Sequence, residues 1–213
     1  LTASSNTQNT FGISASTQDA NSRIDVVNLG DISATATGNH PLCIRPSCAD
    51  IRRRQSHHEH CQQRRYVGGV DQQVWVCLRH LCADRGADSG IYSIANSGTL
   101  VVTGAGTDGA RAIGIFARTN SSDSPIGIVN SGDITVTATV ETGTYAASAF
   151  GIFAGTYGSN SPIGIENSGD FTVTATATGN DGRAYGIATR TVGAGGPIGI
   201  ENPGDLTVTA TAT

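Results

Sequence analysis

Residues 162–178 read "PIGIENSGDFTVTATAT". Apolar and polar residues alternate on both sides of "NSGD". Strict alternation places one set of side chains on each face of a strand, so "IGIEN" and "FTVTATA" are predicted strands with one buried face. Asn, Ser, Gly and Asp between them are turn formers. The stretch therefore predicts strand, turn, strand.

The same stretch recurs. "PIGIVNSGDITVTAT" starts at Pro125 and "PIGIENPGDLTVTATAT" at Pro197. The spacings from copy to copy are 162 − 125 = 37 and 197 − 162 = 35 residues. Looser copies begin at Ile24 ("IDVVNLGDISATATG") and Ile91 ("IYSIANSGTLVVTGAG"). Between copies lies a second motif: "FGISAST" at 11–17, "IGIFART" at 113–119, "FGIFAGT" at 150–156 and "YGIATRT" at 185–191. In the strand after the turn, Ile134, Val136 and Ala138 should point inward and Thr135, Thr137 and Thr139 outward. Gly132 is expected to use positive φ in the turn. Gly151 marks a place where backbone or side chain comes close. One such repeat cannot bury its apolar face, but stacked repeats cover one another. The predicted fold is all-β: a parallel β-helix, or β-solenoid, of about six repeats of 33–37 residues. Each repeat would form one coil of three short strands; two coils per repeat is the other reading.

Composition agrees with that class. The chain has 213 residues and net charge −4, with 28 Gly and few aromatics. Abundant Thr and Gly with little charge favour a β-rich extracellular protein over a helical enzyme. Outside one segment there are too few basic residues for nucleic-acid binding. The opening "LTASSNTQNT" lacks the charged start and apolar core of a signal peptide. Export information removed beforehand, or an internal fragment, is the expectation.

The exception is the segment from about 40 to about 88. It holds all five Cys (Cys43, Cys48, Cys61, Cys77, Cys82), all five His, Trp75 and eight of the thirteen Arg. At face value "HHEHC" at 57–61 with the remaining cysteines resembles a zinc cluster, but the spacings are irregular and no C-x-x-C occurs. Asn28 and Asn96 are 68 residues apart, so one further repeat should fall between them with its Asn near 62. Read one nucleotide later, with any synonymous third base, "HHEHCQQRR" at 57–65 permits I-x-S-I-A-N-S-G-D, close to "IYSIANSG" at 91–98. "WVCLRHLC" at 75–82 permits G-Y-A-F-G-I-Y-A, the second motif. The segment thus reads as an out-of-frame stretch, a frameshift product. The expected organisation is an N-terminal solenoid repeat over 1–39, an irregular stretch over 40–88, and solenoid repeats over 89–213. Arg and His would be costly in the core. An exposed coil edge near residue 91, prone to aggregation, is also expected.

No pattern points to a catalytic site, a cofactor or a metal centre. Asp31, Asp133, Asp170 and Asp205 recur once per turn and are read as caps of local backbone amides. Asn28, Asn96, Asn130, Asn167 and Asn202 recur at the strand-to-turn corner, where stacking would make an amide ladder. Thr135, Thr137 and Thr139 should align with Thr172, Thr174 and Thr176 and with Thr207, Thr209 and Thr211. High β-propensity and Thr–Thr pairing account for these rows. The T-x-T rows also resemble the ice-binding faces of some β-solenoids, though "LVVTGAG" and "ISATATG" make poorer rows.

The repeated "I-x-N-S-G-D-I-x-V-x-A" with "A-[YF]-G-I" between copies resembles the passenger regions of bacterial autotransporters and related large surface adhesins. That resemblance implies secretion through the outer membrane and display at the cell surface. It also implies a translocator barrel, missing here, as membrane anchor. The expected function is a surface-displayed adhesin or structural stalk without catalysis. Its partner would be a host-surface or matrix ligand, or another copy of itself. An ice-binding solenoid and a polysaccharide-acting β-helix enzyme are the alternatives.

Overall fold

The computed structural model describes residues 2–5, 9–17, 23–38, 81–82, 90–107, 109–142, 145–179 and 181–213. They form strands only, in three parallel sheets. Sheet A holds β1 (Thr2–Ser5), β4 (Ile32–Gly38), β7 (Leu100–Gly106), β10 (Ile134–Val140), β13 (Phe171–Ala177) and β16 (Leu206–Ala212). Sheet B holds β5 (Leu81–Cys82), β2 (Asn9–Thr17), β8 (Ala110–Thr119), β11 (Ala147–Thr156) and β14 (Gly182–Thr191). Sheet C holds β3 (Arg23–Asn28), β6 (Gly90–Asn96), β9 (Ile126–Asn130), β12 (Ile163–Asn167) and β15 (Ile198–Glu201). The chain runs C to A to B and steps to the next turn, so each repeat is one coil of three strands. This is the predicted β-solenoid.

Alternation decides which residues fill the interior. Ile126, Ile128, Ile134, Val136 and Ala138 are buried, and their counterparts one turn on, Ile163, Ile165, Phe171, Val173 and Ala175, are buried with them. Sheet B contributes mainly alanines (Ala112, Ala117, Ala149, Ala154) to the same cluster. Large side chains from sheets A and C thus meet small ones from sheet B, which keeps the three sheets close. Gly151 is what the second motif predicts. A Cβ there would lie 2.5 Å from the carbonyl oxygen of Gly186 and 2.9 Å from the Phe171 ring. Gly114 stands in the same relation to Ile134, one turn earlier.

Two expectations are corrected. Gly132 does not use positive φ; among the described glycines Gly179 and Gly195 do. Gly132 is needed because a Cβ would collide with the carbonyl of Gly98 in the stacked turn below. Nor is there an exposed coil edge near residue 91: β6 pairs with β3 on one side and β9 on the other. Residues 23–38 carry the repeat pattern, and they stack directly on residues 90–106, with β3 against β6 and β4 against β7. Bringing them together closes a long loop, whose entropic cost grows by only about 0.6 kcal/mol for each doubling of length. The fit is imperfect, with register shifts at Ile24/Asp25 and at Ile91/Ile94.

About three complete turns lie in uninterrupted chain from Gly90 to Thr191, fewer than the six repeats expected. Asn28 stacks directly on Asn96, and beyond Thr191 β15 and β16 add strands to sheets C and A only. Apart from the backbone of Leu81–Cys82, which pairs with Ser16–Thr17 at the margin of sheet B, the Cys- and His-rich segment lies outside the described residues.

Candidate functional site

The corner between sheets C and A is closed by the five asparagines. Asn28 Nδ2 donates to Asn96 Oδ1 (2.6 Å), Asn96 to Asn130 (2.6 Å), Asn130 to Asn167 (2.6 Å) and Asn167 to Asn202 (2.7 Å). Each Nδ2 also donates to the carbonyl two residues on, as from Asn130 to Gly132 at 2.6 Å. From Asn28 to Asn167 both amide hydrogens are used, so the corner can be buried without an unpaired donor. Three of the four turn aspartates bond between turns. Asp31 accepts from the backbone N–H of Thr99, Asp133 from that of Asp170 and Asp170 from that of Asp205, at 2.9–3.0 Å. Among the described residues no group of His, Cys, Asp and Glu has metal-holding geometry.

A further ladder was not read from the sequence. At the B-to-C corner the buried Ser161 hydroxyl receives the backbone N–H of Ser124 (3.1 Å), and its one hydrogen lies within reach of the carbonyls of Ser121 and Ser159. Ser–Pro before each "IGI" at 124–125 and 161–162 is the signal that carries it.

The outer face of sheet A carries the threonines in register. Thr135 pairs with Thr172 and that with Thr207; Thr137, Thr174 and Thr209 form the next column, and Thr139, Thr176 and Thr211 the third. The middle column continues without a break through Thr103 to Thr35. The outer columns do not: Val101 and Ala105 interrupt them. Strand repeats bring these side chains roughly 4.8 Å apart along the axis and roughly 6.6 Å apart along each strand.

The outer face of sheet B is chemically different. Two columns of arginines flank two columns of aromatics. Phe11, Ile113, Phe150 and Tyr185 share one register column, and Phe116 and Phe153 are neighbours in the next. Phe116 and Phe153 stack at 5.4 Å with planes 7° apart, and Phe150 and Tyr185 at 4.7 Å with planes 11° apart. Ile113 is fully buried yet stands outside the interior cluster, because this aromatic group covers it from the solvent side. Such a second apolar cluster on the outside is unnecessary for closing a coil.

The arginine columns are Arg111 with Arg183, and Arg118 with Arg190, each separated by the intervening β11. Arg111 lies 5.1 Å over the Phe150 ring. Burial pushes its guanidinium below the ordinary arginine pKa, and its buried Nε has no hydrogen-bond partner. Tyr157 is held between Arg118 (4.3 Å) and Arg190 (5.6 Å), in room left by Gly155. Arg118 also bonds Asn120 (3.0 Å), and Arg183 pairs with Asp181 (3.0 Å) at the strand margin. Strands β2, β8, β11 and β14 contain no carboxylate. The sequence carried the signal: "ARAIGIFART" and "GRAYGIATRT" each place Arg seven residues apart, on either side of the motif.

Comparison with protein-family models, with curated proteins and with solved structures gives no match.

Proposed function

We infer that the chain is part of a secreted, surface-displayed solenoid that serves as an adhesin or structural stalk. The observation that carries this reading is the in-register repetition of outer faces over a filled interior. Side chains of large volume close the inside, so ligands are met by the flat outer faces. A rod built this way projects chemistry at a distance from its point of attachment. The likeness of the repeats to autotransporter passengers supports export. Antibody raised against the 213-residue chain is expected to label intact cells of the source organism, and surface proteolysis should remove the label. Labelling that needs lysed cells sinks the reading.

One observation favours a second reading. The unbroken column from Thr35 to Thr209 offers hydroxyls and methyls at two fixed spacings, the kind of array that can match an ordered water lattice. If it binds ice, the purified chain slows ice recrystallisation, and Thr174→Tyr, which lifts a bulky ring out of the array, abolishes the effect. Crystal growth equal to that in an inert protein control dismisses it.

A further inference from the structure

The described residues separate charge by face. Four of their five arginines (Arg111, Arg118, Arg183, Arg190) stand on sheet B, in a chain whose net charge is −4. The turn carboxylates Asp133 and Asp170 lie at the opposite C-to-A corner, where each accepts a backbone amide of the next turn. The strands bearing the arginines hold no acid; within the chain their guanidinium groups meet ring faces, Asn120 and, at the strand margin, Asp181. The guanidinium groups on this face favour a ligand with negative oxygens.

We propose that the outer face of sheet B binds an extended anionic polysaccharide lying along the solenoid axis, with carboxylates on alternate sugar units. This rests on the adhesin reading and names its ligand. Spacing selects the class. Within each arginine column the charges are two turns apart, roughly 9.5 Å, close to the advance of two sugars in an extended chain. A single nucleic-acid strand carries a phosphate about every 3.4 Å, far denser than this face. An extended acidic peptide repeats its same-face side chains about every 6.6 Å and falls out of step. Between the charges, Phe116, Phe150 and Phe153 offer apolar area for the C–H faces of sugar rings.

The test uses the full 213-residue chain, kept reduced, and four probes: hyaluronan, which carries one carboxylate on every second sugar, neutral dextran, polyglutamate and single-stranded DNA. Hyaluronan is expected to bind, more tightly than polyglutamate or DNA, with dextran unbound and affinity falling as salt rises. Arg111→Gln with Arg183→Gln, and separately Arg118→Gln with Arg190→Gln, should each weaken hyaluronan binding about tenfold. Thr137→Val on sheet A should leave it unchanged. A measurement on the unaltered chain guards against variants that misfold: bound hyaluronan should protect Arg118 and Arg190 from an arginine-selective dicarbonyl reagent. Absence of hyaluronan binding or of that protection, or stronger binding of DNA or polyglutamate, overturns the proposal. Hyaluronan binding by a chain found only inside cells would sink surface display and leave the ligand class standing. A displayed chain that ignores hyaluronan does the reverse.

Discussion

Asn130→Ala is expected to lower the unfolding free energy by about 4 kcal/mol. The side chain is 1% exposed and sits mid-ladder. It accepts from Asn96 and donates to Asn167 and to the carbonyl of Gly132. Alanine leaves an amide hydrogen of Asn96, the Asn167 oxygen and the Gly132 carbonyl with nothing in their place, in a corner that water cannot easily enter. Each unsatisfied buried group costs about 1–3 kcal/mol. Asn28→Ala, at the half-buried end of the same ladder, should cost about 1 kcal/mol because water can take the vacated bonds. Denaturant titration followed by far-ultraviolet circular dichroism reads both. Equal losses for the two variants would mean that the ladder adds nothing beyond ordinary capping of each turn.

Phe171→Ala is expected to cost about 4 kcal/mol, the upper part of the range for emptying a core site. Phe171 is 1% exposed, and its ring lies over Gly151 in the facing sheet. The backbone at Gly151 is fixed by pairing on both sides, so the walls cannot collapse into the space. Phe171→Leu should cost only about 1 kcal/mol, because Leu100 and Ile134 already occupy the equivalent place in neighbouring turns. A loss below about 1 kcal/mol for the alanine variant in the same titration would show that the turns can close over the cavity.

The interior was legible because it depends on alternation alone. "ITVTAT" and "FTVTAT" fix which side chains face in, and the 35- and 37-residue spacings fix which stack. Gly132 was misjudged because a close carbonyl and positive φ both exclude a Cβ, and sequence cannot tell them apart. The pairing of β3 with β6 was hidden for another reason. Spacing predicts the neighbour a repeat would have if every copy were competent, whereas the stack selects the next competent copy. The arginine–aromatic face escaped notice because its period is two turns. A search for what every turn shares passes over what alternate turns share.

The ladders at the corners also set how the solenoid responds to length. One turn advances the stack by about 4.8 Å. The 37 residues from Asn130 to Asn167 reach roughly 120 Å when drawn out. Peeling a single turn from an end therefore lengthens the molecule some 25-fold over the step it gives up, while the turns behind it keep the bonds they make to one another. Under tension such a stack is expected to yield in large discrete increments, one turn at a time.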